Sequence, residues 1–207
     1  MLHFNTDTLC SIDCETTGLD PDIHEILEMC IMPLDPRSLK PLMPFRIYIK
    51  PESLETIDPK AMSVNKLDLE KVLKFGKTHV EALDAFEQWF DKTIGHNKFG
   101  AKSKILPLGH NYAFDQSFLR KFFGSALYDV YFDYHIRDTA VAANFANDHA
   151  FWHGHGGVPF NKTNLQWLAK KFNIEVIGGH TAYGDCLLVS KVYKEMISAG
   201  LYSWGGK

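Results

Sequence analysis

No run of about 18 apolar residues occurs in the 207-residue chain, so nothing in it reads as a membrane-spanning helix. Its first residues, MLHFNTDTLC, lack a basic segment followed by an apolar one, and no signal peptide is expected. Cysteine is scarce: Cys10, Cys14, Cys30 and Cys186 are the full set, and none belongs to a C-x-x-C pair. They read as reduced, mostly buried thiols of a protein kept in a reducing compartment, the cytoplasm or an equivalent interior. Charge of one sign is also lacking. A net charge of −3 excludes a body basic all over but leaves room for a local basic groove. Internal repeats and low-complexity segments are absent. What is present, 45% hydrophobic and 23% charged residues, fits one globular domain over 1–207 with a sizeable core.

Hydrophobic periodicity sets the expected order of elements. Residues 8–14, 25–35 and 44–51 read as three strands in an antiparallel meander; the third alternates Phe45, Ile47 and Ile49 against Arg46, Tyr48 and Lys50. Residues 79–94 place Val80, Leu83, Phe86, Phe90 and Ile94 at helical spacing. A strand over 104–111 follows, with Pro107 expected near an edge or bulge. Then come a helix over 113–124 closed by Gly124, a strand over 130–139, and helices over 163–174 and 181–198. Residues 52–78 and 140–162 read as long irregular stretches. This order predicts an α/β fold, one mixed sheet flanked by helices.

The chemistry-bearing residues are acids. In SIDCETTGLD, Asp13 and Glu15 are two apart on the first strand and so share a face, with Cys14 opposite. Two like charges side by side are costly to bury unless a cation compensates them. Asp115 opens one helix, Asp185 lies in the first turn or so of the last, and His180 precedes it behind Gly178 and Gly179. Asp13, Glu15, Asp115, Asp185 and His180 can thus converge at one end of the sheet. Oxygen ligands without cysteine favour Mg²⁺ or Mn²⁺ over zinc. Two such ions about 3.5–4 Å apart stabilise the attacking and leaving oxygens of an in-line displacement at phosphorus. Near neutral pH a histidine can accept a proton from the attacking water.

Three segments carry a resemblance: DCETTGL (13–19), HNYAFD (110–115) and HTAYGD (180–185). In order and spacing they resemble the exonuclease motifs of the DEDDh family of 3′–5′ exonucleases. That family includes the proofreading epsilon subunit of bacterial DNA polymerase III, RNase T, oligoribonuclease and exonuclease X. IDPKAMSVNKL (57–67) also resembles the segment after the third strand in these enzymes. The resemblance covers nearly the whole chain. It implies a ribonuclease H-like five-stranded mixed sheet with helices on both faces, two Mg²⁺ or Mn²⁺ ions, and hydrolysis from the 3′ end of single-stranded nucleic acid. By the same resemblance Asp13 bridges the metals, Glu15, Asp115 and Asp185 complete the site, and His180 is the general base. The backbone around Glu15, Thr16 and Thr17, with Gly18, holds the terminal 3′-hydroxyl, Leu19 wedges against the last base, and Asn111 supports the nucleotide pocket. Asp138 reads as structural rather than as a metal ligand.

DNA is favoured over RNA because DCETTGL together with the long segment after the third strand looks more like the proofreading and exonuclease X relatives. A proofreading or repair role would call for a separate DNA polymerase. Two rivals remain: an RNA-directed exoribonuclease of the RNase T or oligoribonuclease type, and a non-catalytic nucleic-acid-binding module of the same fold. GHNKFGAKS (95–103) nearly spells a phosphate-binding loop, but Ala101 stands where the lysine is needed. His149, His153 and His155, without cysteine, read as a polar loop more readily than as a zinc site, and Phe151 and Trp152 beside them could stack bases.

Overall fold

The computed structural model describes residues 6–65, 67–96, 100–176 and 180–203, of which the last three only in their backbone. Three strands come first: β1 (Thr8–Thr16), β2 (Ile26–Pro33) and β3 (Phe45–Tyr48). Helices α1 (Pro59–Asn65), α2 (Leu69–Phe75) and α3 (His79–Thr93) follow, then β4 (Ile105–Gly109), α4 (Tyr112–Phe123) and α5 (Ser125–Tyr131). The chain closes with β5 (Arg137–Asp138), α6 (Thr139–Trp152), α7 (Leu165–Lys171) and α8 (Ala182–Ser203), the last interrupted at Gly200. The sheet order is β3-β2-β1-β4-β5, with β1 to β3 antiparallel and β4 and β5 parallel to β1.

Helices cover both faces. On one face Cys10, Ile12, Cys14, Met29, Ile31 and Phe45 pack against α3, α4 and α5. On the other, Leu9, Cys30, Met32, Leu106 and Leu108 pack against α6, α7 and α8. β2 is buried at all eight positions, which explains its continuous apolar run. All four cysteines are buried and unpaired. Burial pushes the thiols of Cys10, Cys14 and Cys186 well above the usual thiol range. Among the described residues no helix is long and apolar enough to cross a membrane.

The meander and the helices after it form as the periodicity predicts; four segments differ. The stretch 52–78 is not irregular: it holds α1 and α2, the latter capped by the Asp68 carboxylate accepting from the Lys71 amide. The stretch 140–162 begins with α6, whose buried side is Ala140, Ala143, Ala146 and Ala150. Alanine allows close helix approach but gives little hydrophobic contrast, so the periodic signal is faint. Over 130–139 the expected strand shrinks to Arg137–Asp138. Tyr128, Tyr131 and Phe132 are buried at helical spacing, and aromatic packing wins over β-propensity. The helix expected over 163–174 runs Leu165–Lys171, capped by Asn164 rather than Thr163. Pro107 sits inside β4 opposite Cys10, on a strand whose other side meets β5 only at Leu108 and Gly109.

The ring of Phe86 is fully buried, with those of Phe45, Trp89, Phe90, Phe123, Tyr131 and Phe132 4.7–6.2 Å away, centroid to centroid. Phe86→Ala is expected to lower stability by about 3–5 kcal/mol in denaturant unfolding. A loss under about 1 kcal/mol would show that α3 is not anchored through this ring.

Candidate active site

Asp13 and Glu15 project from β1 toward α8. Just there the β1–β2 register slips: Glu15 faces Glu28, but Thr16 faces Ile26, so Leu27 is an extra residue on β2. Such bulges re-aim side chains beside functional sites. Asp185 comes from the first turn of α8. Each of these three acids is half-buried, and carboxylate oxygens of all three lie within 4.8 Å of one another.

α8 is pinned so that Asp185 reaches the strand acids. The Thr181 hydroxyl accepts from the Gly184 amide at 3.1 Å, and the Ser11 hydroxyl donates to the Cys186 carbonyl at 2.9 Å. Glu28 accepts from the Ala182 amide at 3.2 Å.

Asp115 enters by another route. The β1–β4 ladder ends at Ser11 and Leu108, leaving the Cys14 amide without a partner on the next strand. Asp115, buried in the first turn of α4, accepts that amide at 2.9 Å. Asp138 in turn fixes α4: its carboxylate accepts from Tyr112 at 2.7 Å and, capping α6, from Ala140 and Val141 at 2.8 and 3.2 Å. Its three amide bonds make Asp138 a brace between two helices.

The acids hold protons that ordinary carboxyl groups release. Burial, then the Asp115, Glu15 and Asp185 charges, raises Asp13 well above the carboxylate range. Burial and the Asp185, Glu28 and Asp115 charges push Glu15 up to about 8. Burial also lifts Asp115 to about 8, against the pull of its amide bonds. Asp185 is raised by burial, with the His180 charge and main-chain amide pulling the other way. One oxygen of Asp185, Oδ1, is buried without a hydrogen-bond partner among the described residues. An orphaned carboxylate oxygen among mutually repelling acids is the donor set that a hard divalent cation fits.

His180 is half-buried beside Asp185, in the left-handed region at φ +66°. Gly178 and Gly179, expected to flex this loop, lie outside the described residues, as does the 97–99 part of the near phosphate-binding loop. Asn111 is exposed at φ +59°, just before α4, and its side chain caps nothing. Leu19 projects into solvent, 75% exposed. Thr16 and Thr17 are buried and their hydroxyls engaged: Thr16 donates to the Gly18 carbonyl at 2.7 Å, and Thr17 accepts from the Glu25 amide at 2.9 Å. The Thr17 amide is also spent, on the Glu25 carbonyl at 2.8 Å. The two side chains therefore shape the turn. A Cβ at position 18 would run into the His24 ring, which would have to move aside.

Sequence reasoning missed Glu28 and Ser11. The signal for Glu28 was an acid in the middle of the apolar run ILEMCIMP. Among the described residues Asp13, Glu15 and Asp185 form the grouping able to share an ion; the rings of His149, His153 and His155, 4.4 and 6.3 Å apart in succession, do not supply another. A cavity of about 330 Å³ lined by His24, Lys50, His79, Phe118 and Lys121 lies on the α3–α4 side of the sheet.

Residues 10–193 match the family model described as Exonuclease, RNase_T. The chain belongs to this exonuclease family. It is 27% identical to the 3′-5′ DNA exonuclease Cap18 of Escherichia coli over 195 residues, 93% of each chain. It is 30% identical to ribonuclease T of Haemophilus influenzae over 111 residues, 52% of this chain and 47% of that one. The nuclease domain of 3′hExo, a DEDDh family member bound to rAMP, shares its fold with a TM-score of 0.66 at 20% identity, over 95% of this chain and 94% of that domain. E. coli exonuclease I in complex with a dT13 oligonucleotide gives 0.66 at 17% identity, and there the match spans 93% of this chain but 41% of the other. The α/β fold expected from the motifs is thus that of the DEDDh nucleases.

The acid cluster predicts a pH dependence. The unfolded chain releases these carboxyl protons near pH 4 and the folded chain keeps them to about pH 8, so the cluster's contribution to stability is full below about pH 4 and is lost as pH rises toward 8. In chelator the melting temperature should drop from pH 5 to pH 8.5, less so in Asp13→Asn, and Mn²⁺ should restore more of it at pH 8.5 than at pH 5. A melting temperature that rises over this range in chelator contradicts the buried repulsion.

Proposed function

We propose that the chain is a divalent-metal-dependent 3′–5′ exonuclease that trims single-stranded nucleic acid, DNA in preference to RNA, and releases nucleoside 5′-monophosphates. The observation that carries this reading is the convergence of Asp13, Glu15 and Asp185, with Asp115 alongside and an Asp185 oxygen unpartnered among the described residues. Asp13, Glu15, Asp115 and Asp185 would hold two Mg²⁺ or Mn²⁺ ions. Such ions, when bound, neutralise charge on the scissile phosphate and on the entering and departing oxygens.

The chain's own residues do the rest. Leu19, projecting beyond the Thr16–Gly18 turn, packs against the last base, and Asn111 supports the nucleotide from the start of α4. The turn itself receives the terminal 3′-hydroxyl. His180 takes the proton from the attacking water as its oxygen bonds to phosphorus. The bond from phosphorus to the 3′-oxygen of the penultimate nucleotide then breaks, and that oxygen takes a proton from solvent. The products are a nucleoside 5′-monophosphate and a strand one residue shorter, with a fresh 3′-hydroxyl.

The preference for DNA is supported by the match to the DNA exonuclease Cap18 along 93% of both chains. The partial match to ribonuclease T favours a second reading in which RNA ends are trimmed. Discrimination between the two rests on the 2′-hydroxyl. Work beside a separate DNA polymerase in the cytoplasm belongs to the same proposal. A binding module without catalysis has no need of a repelling acid cluster and fits poorly.

A 5′-labelled single strand with Mn²⁺ should give a ladder shortened from the 3′ end, faster for DNA than for the matched RNA. Asp13→Ala should remove nearly all cleavage while the protein stays folded. His180→Ala should lower kcat by about 10²–10⁴-fold with little change in KM. Full cleavage by folded Asp13→Ala would refute the assignment. A change confined to KM would remove His180 as the base.

A further inference from the structure

We propose that Glu28, braced by Arg46, is a positioning residue that seats the first turn of α8, and with it His180 and Asp185, against Asp13 and Glu15. The inference rests on the exonuclease reading for its effect on turnover, but the clamp itself does not. Glu28 lies directly opposite Glu15 in the β1–β2 ladder, so both side chains emerge on the α8 side of the sheet. It is fully buried, and a carboxylate there must find strong partners. Its two oxygens find different ones. Oε1 accepts from Arg46 Nε at 2.6 Å, and Oε2 accepts from the Ala182 amide at 3.2 Å.

Ala182 is the first residue of α8. The leading amides of a helix have no acceptor within it, and the partial positive charge of that end favours an anion. One carboxylate therefore ties β2, β3 and the start of α8 together. Arg46 makes the tie rigid: its guanidinium lies 5.3 Å from the Tyr183 ring centroid on α8 and 5.7 Å from that of Tyr48, whose hydroxyl it also meets at 3.2 Å. Among the described residues Glu28 is not part of the grouping able to share an ion; it sets where Asp185 stands. Asp185 is three residues beyond the clamped amide and His180 two before it, so a shift or rotation at Ala182 is passed to both. Groups that orient metal ligands commonly change metal affinity or activity by about 10–100-fold when removed.

The test uses Glu28→Gln, which keeps the volume, and Arg46→Lys, which keeps the charge but loses the planar stack. Amide hydrogen exchange at Ala182–Asp185 and Mn²⁺ affinity by calorimetry are measured without nucleic acid. For Glu28→Gln the expected result is faster exchange confined to that turn, about 10–100-fold weaker Mn²⁺ binding, and a similar loss of kcat with KM nearly unchanged. Arg46→Lys should move exchange and Mn²⁺ affinity in the same direction by a smaller factor. Exchange and Mn²⁺ affinity like wild type in folded Glu28→Gln would overturn the proposal, as would unaltered values in Arg46→Lys should Glu28→Gln not fold. Failure of the wild type to shorten an oligonucleotide would count against the exonuclease reading alone.

Discussion

Asp13, Glu15, Asp115 and Asp185 repel one another in a poorly solvated cleft, and the surrounding structure holds them together against that force. The strand acids are fixed by the β1–β2 ladder. Asp115 is held by the Cys14 amide and by a helix start braced on Asp138, and Asp185 by a helix start tied to Glu28, Thr181 and Ser11. Every brace lies outside the acid trio that could share an ion. The repulsion destabilises the fold, and a bound cation would relieve it.

Two helix starts deliver the acids in the same manner. α4 begins just after, and α8 two residues after, a non-glycine residue held in the left-handed region, Asn111 at φ +59° and His180 at φ +66°. That conformation costs roughly 1–2 kcal/mol for an L-residue, least where a short polar side chain can bond locally. In each case a sharp turn of the backbone aims the first helical turn, with its aspartate, back across the end of β1. Of the two strained residues Asn111 is exposed and His180 is half-buried. Backbone strain at a site of this kind is supported by the rigid elements on either side.

Legibility in the sequence followed the strength of the local signal. In the meander β3 was readable from its period-2 alternation and β2 from its apolar run, and α3 from apolar residues at period 3.6; α3 also carries a Thr78–Glu81 capping box. The acids were readable because three short motifs fall in register along the chain, and the structure gathers Asp13, Glu15 and Asp185 and sets Asp115 beside them. α6 was not, since its buried stripe is alanine, and α5 was not, since its end and Phe132, aromatic residues at helical spacing, passed for the start of the strand that is β5. Glu28 was invisible for a different reason. Its role depends on Arg46 and Ala182, 18 and 154 residues away, and no local pattern records such a meeting.

The buried thiols have a practical consequence. Cys10, Cys14 and Cys186 sit in the sheet and in α8 with their ionisation suppressed, around the same strand that carries the acids. A thiol reacts as its thiolate and only where reagent can reach it. The native protein should therefore be silent toward alkylating agents, and the rate at which label accumulates becomes a clock for opening of the central strands. The protein carries its own chemical probe of core integrity, next to the chemistry and needing no substitution to install it.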